Sequence, residues 1–198
     1  VFLFMKANLN HQSNNLYTNS VEILSIGTEL LLGNIANTNA QWISEKLSAL
    51  GLNHYRQSTV GDNSERIGKI VQEISLRSNI LITTGGLGPT PDDLTTQAIA
   101  KAFNANLYER KYLWDEIKQK LPNLNLKDDS SILKKQSFFP KEAQIIKNPH
   151  GTAPGMIWEP IKGFTILTFP GVPSELKAMW KDTANDFISK KFSDGYIF

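Results

Sequence analysis

Cysteine is absent from the 198 residues. That removes disulfides, iron–sulfur clusters and thiolate zinc sites from consideration, and it suits a reducing compartment. An excess of charge of one sign is also lacking, since 21 Lys and Arg stand against 19 Asp and Glu for a formal net charge of +2. The basic residues are scattered rather than gathered into a stripe, so nucleic acid is not the expected ligand. VFLFM, over 1–5, is apolar but far too short for a membrane span or a signal core, and Lys6 follows at once. The chain reads as cytoplasmic. Histidine is scarce too: His11, His54 and His150 form no pair at metal-binding spacing, and no Ser/His/Asp order suggests a nucleophilic triad.

What is present is the composition of a globular protein, 40% hydrophobic and 20% charged. NLNHQSNNLYTN is asparagine-rich and aperiodic, so residues 1–20 are expected to be a disordered leader. From there strands and helices alternate. VEILSIG (21–27) and NILITT (79–84) are short continuous apolar runs, the pattern of buried strands, and NHYRQSTV (53–60) is a third candidate. Thr38 and Gln41 have the spacing of a capping box ahead of Ile43, Leu47 and Leu50, with Gly51 as the stop. Asp62 and Glu65 suggest a second box ahead of Ile67, Ile70, Val71 and Ile74. A third helix carries Leu94, Ala98, Ile99, Ala102 and Phe103 inward. Residues 108–138 read as a peripheral helical segment broken at Leu121-Pro122-Asn123. AQIIKN (143–148), GMIWE (155–159) and FTILTF (164–169) read as strands, the last two as a hairpin. An amphipathic helix runs from Ser174 with Leu176, Met179, Trp180, Phe187 and Ile188 on one side. This alternation predicts an α/β fold with a mostly parallel sheet covered on both faces. The ending DGYIF, a turn before apolar residues, suggests that 191–198 begin a continuation.

TTGGLGPTPDDLT (83–95) follows the NILITT strand and leads into a helix, where open α/β sheets place their ligands. It is not a P-loop, because Pro89 and Thr90 replace the lysine and hydroxyl residue after Gly88. It is not a dinucleotide fingerprint, because Pro91 stands where glycine or alanine is needed. Two readings remain. In one, Thr90 is an N-cap, Pro91 the first helical residue, and Asp92 and Asp93 complement the helix dipole. In the other, amides near Gly85, Gly86 and Gly88 hold a phosphate, with Pro89 and Thr90 beside it in the ligand site. Like charges ~4 Å apart repel by ~4 kcal/mol at an effective dielectric of 20, so a divalent cation would then have to stand between phosphate and carboxylates.

Three more loops follow strands and would share that rim. GTELLLG (27–33) brings Gly27, Thr28 and Glu29; VGD (60–62) brings Asp62; FPGVPSE (169–175) brings Pro170, Gly171, Pro173, Ser174 and Glu175. Each also has a bland explanation: Asp62 as a cap, Gly171 as a turn, Glu29 as a solvated charge. His150, in NPHGTAPG, suits a turn better than catalysis. The four tryptophans are spread over several elements, which favours packing over base stacking.

GTELLLGNIANTN, VGDN, TTGGLGPTPDDLT, NPHGTAPG and FPGVPSEL, in this order, closely resemble the N-terminal domain of the competence-damage-inducible (CinA) proteins, within the MoaB/Mog molybdopterin-binding group. The likeness covers about residues 21–190. It implies a three-layer α/β/α sandwich with a ligand groove at the strand ends. It also implies ligand contacts at Gly85, Gly86, Gly88, Pro170, Gly171 and Pro173, and functional aspartates at Asp62 and Asp93. Asp92 stands where the Mog branch tends to carry a basic residue, which argues against molybdopterin itself. The activity implied is metal-dependent hydrolysis of ADP-ribose or a similar nucleotide at its pyrophosphate. Asp62 and Asp93 would carry a divalent ion (Mg, Mn or Co), and Asp92 or Glu29 would complete the shell or orient water. The alternatives are a module that binds a molybdopterin or nucleotide without turnover, and a domain that dimerises a larger nicotinamide mononucleotide deamidase. The expected partners are a small nucleotide or pterin ligand and a second copy of the chain in a dimer, with neither nucleic acid nor membrane.

Overall fold

Continuous apolar runs have to be covered on both faces, and the core strands of this chain are. The computed structural model describes residues 20–52, 54–121 and 130–192. Most of the expected leader, the Pro122-Asn123 part of the expected break and the DGYIF ending lie outside these. Ser20 is buried, and its carbonyl accepts from the amides of Asn79 and Ile80.

In chain order the strands are β1 (Val21–Ile26), β2 (His54–Val60), β3 (Ile80–Thr84), β4 (Leu107–Glu109), β5 (Phe138–Pro140), β6 (Gln144–Ile146), β7 (Gly155–Ile161) and β8 (Phe164–Phe169). Six make one sheet in the order β2-β1-β3-β8-β7-β6. The β1–β2, β1–β3 and β3–β8 pairs are parallel, while β7 and β6 add antiparallel. Every residue of β1, β3 and β8 is buried. Registers Ile23↔Ile82↔Leu167 send one row of side chains to one face, and the flanking residues Leu24, Leu81 and Ile166 go to the other.

Helices cover both faces, giving the expected three layers. On one side lie α1 (Thr38–Ala49) and a rod formed by α6 (Pro173–Met179), a π-helical turn (Trp180–Ala184) and α7 (Asn185–Phe192). Ile43, Leu47, Leu176, Met179, Trp180 and Ile188 pack there on Ile23, Ile82 and Phe169. On the other side lie α2 (Ser64–Ser75) and α3 (Thr95–Ala102), with Ile67, Val71, Ile74, Ala98 and Ile99 facing Leu24, Leu81 and Ile166. Complete burial of such a side chain stabilises by ~1.5–3 kcal/mol. α4 (Lys111–Lys120) and the short α5 (Ser130–Lys134) complete the helices.

Several local expectations change. The N-cap of α1 is Asn37, whose side chain accepts from the Ala40 amide, rather than Thr38. Asn63 caps α2 in the same way at Arg66, leaving Asp62 for another role. The helix expected from Thr90 begins at Thr95 instead. The peripheral segment is not purely helical, because β4 and β5 form a two-stranded antiparallel ribbon within it. Gly51 does end α1, in a left-handed conformation.

A buried carboxylate interrupts β1. Glu22 is paired with Arg77, Nε–Oε1 2.8 Å and Nη2–Oε2 2.9 Å, and accepts from Ser78 Oγ at 2.6 Å. No helix among the described residues is long and apolar enough to cross a membrane.

Candidate functional site

At the C-terminal end of a parallel strand the chain must turn away, and here four such turns meet. After β1, Gly27 donates its amide to Val60 O (3.0 Å) and one helical turn, Thr28–Leu31, follows. Thr28 then bridges to the loop after β2: its amide and its hydroxyl both donate to Asp62 Oδ2, at 2.8 and 2.9 Å. This is why Asp62 does not cap α2.

After β3, Gly85 and Gly86 both have positive φ, 104° and 65°. A Cβ on Gly85 would lie 2.0 Å from Ile26 O, and one on Gly86 2.2 Å from Thr95 Oγ1. Thr95 donates its hydroxyl to Gly85 O (2.9 Å) and its amide to Gly86 O (3.1 Å). Close packing of the turn on β1 and α3 is thus a sufficient reason for both glycines. Gly88 is different: its Cβ would meet the Asp93 carboxylate at 2.5 Å. Asp93 Oδ2 accepts from the Thr90 amide (2.9 Å) and hydroxyl (2.6 Å), and the Asp93 amide returns to Thr90 O (3.0 Å). The sequence Thr90–Asp93 therefore closes on itself, which explains why no helix starts there. Among the described residues, no protein acceptor meets the amides of Gly86, Leu87 or Gly88.

The fourth turn, after β8, is tied to β3. Thr84 Oγ1 donates to Pro170 O (2.9 Å), and the buried Asn39 donates to Gly171 O (2.8 Å) and Thr84 Oγ1 (3.0 Å). Glu175 lies against Gly151 and accepts from Asn148 Nδ2 at 2.8 Å. Asn148 Oδ1 accepts from the amides of His150 and Gly151, so His150 belongs to a turn, as expected.

These turns enclose a cavity of about 440 Å³. Of the sequence-expected residues, Gly27, Glu29, Asp62, Gly85, Gly86, Gly88, Pro89, Thr90, Asp92, Asp93, Pro170 and Gly171 line it. Thr28, Pro173 and Ser174 do not; Thr28 orients Asp62 from behind, while Pro173 and Ser174 open α6. The sequence reading missed Gln136, Thr152, Ala153 and Val172 in the wall. Thr152 and Ala153 fall inside NPHGTAPG and could have been found; Gln136 comes from a stretch that carries no local signal.

Glu29, Asp62, Asp92, Asp93 and Glu175 line the cavity, and the lining includes neither lysine nor arginine. The nearest ammonium on the glycine turn, Lys135, is spent on backbone: it donates to Asp93 O (2.9 Å) and to Thr90 O. Burial lowers its pKa, against the opposing pull of Asp93 and Asp92. No group of three His, Cys, Asp or Glu suited to a metal occurs among the described residues. The residues do fit the mode in which Mg²⁺ takes one or two protein carboxylates and draws its other ligands from phosphate oxygens and water. Asp62 and Asp93 each commit Oδ2 to a threonine, and Oδ1 of each accepts no hydrogen bond among the described residues.

Comparison with known proteins agrees with the geometry. The family model described as a probable molybdopterin binding domain matches residues 22–190. A CinA-like protein of Prochlorococcus marinus strain MIT 9515 is 74% identical over 98% of this chain, and that of strain AS9601 is 79% identical over 90%. The chain spans only 45% and 42% of these relatives' lengths. Among solved structures, the Thermoplasma acidophilum protein CinA, whose function is given as unknown, superposes with TM-score 0.78 at 31% identity, over 85% of this chain and 98% of that one. The Thermus thermophilus molybdopterin biosynthesis enzyme MoaB, at 18% identity and TM-score 0.53 over 87% and 98%, shares the fold.

Proposed function

From the premise that the chain belongs to the probable molybdopterin-binding domain family, in its CinA-like branch, we propose that it hydrolyses the pyrophosphate of ADP-ribose or a similar nucleotide with the help of a divalent cation. One observation carries this reading: amides on Gly86, Leu87 and Gly88 without acceptors among the described residues share a cavity with two carboxylates, each holding one oxygen in reserve. Acceptor-poor amides select an anion. Carboxylates beside an anion call for a cation.

In this reading the amides of Gly86 to Gly88 hold one phosphate, and Thr28 and Thr90 hold the Asp62 and Asp93 carboxylates through Oδ2, leaving Oδ1 of each for the ion. Those two aspartates would hold the ion, Mg²⁺, Mn²⁺ or Co²⁺. When bound, such an ion offsets charge at a bridging oxygen and acidifies water. Asp92 or Glu29 would orient the attacking water by accepting its proton-bearing hydrogen bond. Lys135 keeps the Thr90–Asp93 turn in place through its two carbonyls.

The test is hydrolysis of ADP-ribose by purified protein with each of the three metals and with chelator. Product should form only with metal, and Asp93→Asn should lower kcat by 10²-fold or more, on the order of 3 kcal/mol of barrier. Activity unaltered by Asp93→Asn sinks the assignment. The lack of a three-ligand metal cluster among the described residues favours a second reading, a module that binds the nucleotide or pterin phosphate without turnover; calorimetric binding with no product selects it.

A further inference from the structure

Gln136 is a buried amide that the proposed chemistry does not use. Only 6% of it is exposed, and it forms part of the cavity wall. Its Nε2 donates to Leu87 O at 3.0 Å, whereas Oε1 is buried and meets no donor among the described residues. The orientation is forced. Turning the amide over would set Oε1 against the Leu87 carbonyl, two acceptors face to face, and strand both. Leu87 lies in the same glycine turn whose amides are open to an anion, and the adjacent Lys135 clamps the far end of that turn. The segment Lys135–Ser137 therefore holds, in the wall beside those amides, one acceptor that is buried in this arrangement.

We infer that Gln136 Oε1 is a specificity-determining group that pairs with a neutral N–H or O–H donor on the phosphate-bearing ligand. The inference rests on the functional reading above and adds a requirement to it. An acceptor with no partner is costly to keep buried, by an amount comparable to a lost hydrogen bond. A ligand donor entering through the cavity wall removes that cost, after a small side-chain shift that opens Oε1. A bare phosphate or pyrophosphate offers only the P–OH of the anionic group itself, which the turn amides would hold, and no neutral donor on an organic part. The site thus discriminates for phosphate esters whose organic part carries a donor that can reach the Gln136 wall while the phosphate is held. Two parts of a nucleotide meet this description, the base amine and the sugar hydroxyls.

Calorimetry in the presence of Mg²⁺ distinguishes them. The ligands are ADP, inosine diphosphate (amine replaced by carbonyl), 2′-deoxy-ADP and 3′-deoxy-ADP. One analogue should bind at least ~10-fold more weakly than ADP, the value of one hydrogen bond of about 1.4 kcal/mol. Weakening confined to the inosine compound assigns the amine; weakening confined to a deoxy compound assigns that hydroxyl. Gln136→Met should lower ADP affinity by a similar factor and leave pyrophosphate affinity unchanged, and the analogue series on the unaltered protein keeps the inference testable if that variant does not fold. Equal affinity for all four ligands, with Gln136→Met binding ADP as the parent does, overturns the role of Gln136 while the functional reading stands. Failure of the parent to bind either ADP or pyrophosphate removes the functional reading and this inference together.

Discussion

Within one turn, neighbouring glycines do different work, and substitution separates them. Gly85 has φ of 104° and would place a Cβ 2.0 Å from a backbone carbonyl, where nothing can yield without moving β1. Gly85→Ala should cost on the order of 3 kcal/mol of folding stability, measured by urea unfolding. Gly88 has no such backbone demand; the atoms its Cβ would meet first belong to the Asp93 carboxylate, at 2.5 Å, a side-chain end that can move aside at the expense of its hydrogen bonds to Thr90. Gly88→Ala should cost under ~1 kcal/mol yet weaken ligand binding, because the Asp93 carboxylate must leave its place against the backbone. A loss of stability equal to that of Gly85→Ala would refute the distinction. Glu22 offers a second contrast. Arg77→Met leaves its carboxylate buried with only Ser78 as side-chain donor, a change worth ~3 kcal/mol. Glu22→Gln in the same chain should restore part of that loss in a double-mutant cycle.

Among elements, those with a single strong local pattern were legible in the sequence. β1, β3 and β8 are short, mostly apolar runs that are buried throughout, and Ile67, Val71 and Ile74 mark the buried face of α2. Helix starts were less legible because two capping residues stand side by side at each. Propensity does not choose between Asn37 and Thr38, or between Asp62 and Asn63, and in the second case the choice is made by Thr28, 34 residues away. The two-stranded ribbon of β4 and β5 is too short to show a period. The site residues Asn39, Lys135 and Gln136 act through contacts 42 to 132 positions distant, to which local sequence is blind. At the edge strand β2, His54 supplies a test of pH dependence. Its Nε2 is buried without a partner among the described residues, and burial lowers its pKa from 6.5 despite a raising hydrogen bond to the Arg56 backbone and a raising charge at Glu22. Below pH 6.5 the unfolded chain takes up a proton that the folded chain resists, so more protons are bound in the unfolded state. Stability is then complete above pH 6.5 and falls as pH drops from there toward the folded-state pKa. His54→Gln should flatten that decline between pH 7.5 and 5.5; an unchanged slope would assign it to other groups.

At the scale of the whole molecule, the cavity is built by turns from four adjacent parallel strands, and both core layers grip those strands. The loops after β1 and β2 are joined by Thr28 and Asp62, and those after β3 and β8 by Thr84, Gly85 and Asn39. A ligand that spans the cavity therefore adds cross-links between loops whose strands are already fixed, and it binds the folded state alone. Mass action then raises stability by about 2.7 kcal/mol at a hundred times Kd, or about 5–10 °C in Tm for a domain of this size. ADP with Mg²⁺ should produce such a rise. ADP with chelator should produce much less, since five carboxylates line the same space and repel the uncompensated phosphates. Asp62→Asn with Asp93→Asn removes two of those charges together with the proposed ion site, so it should shrink the metal-dependent rise and enlarge the metal-free one. If the doubly substituted protein instead keeps the full difference between Mg²⁺ and chelator, the ion is held elsewhere and the electrostatic logic of the site fails, while the sheet and its turns stay as they are.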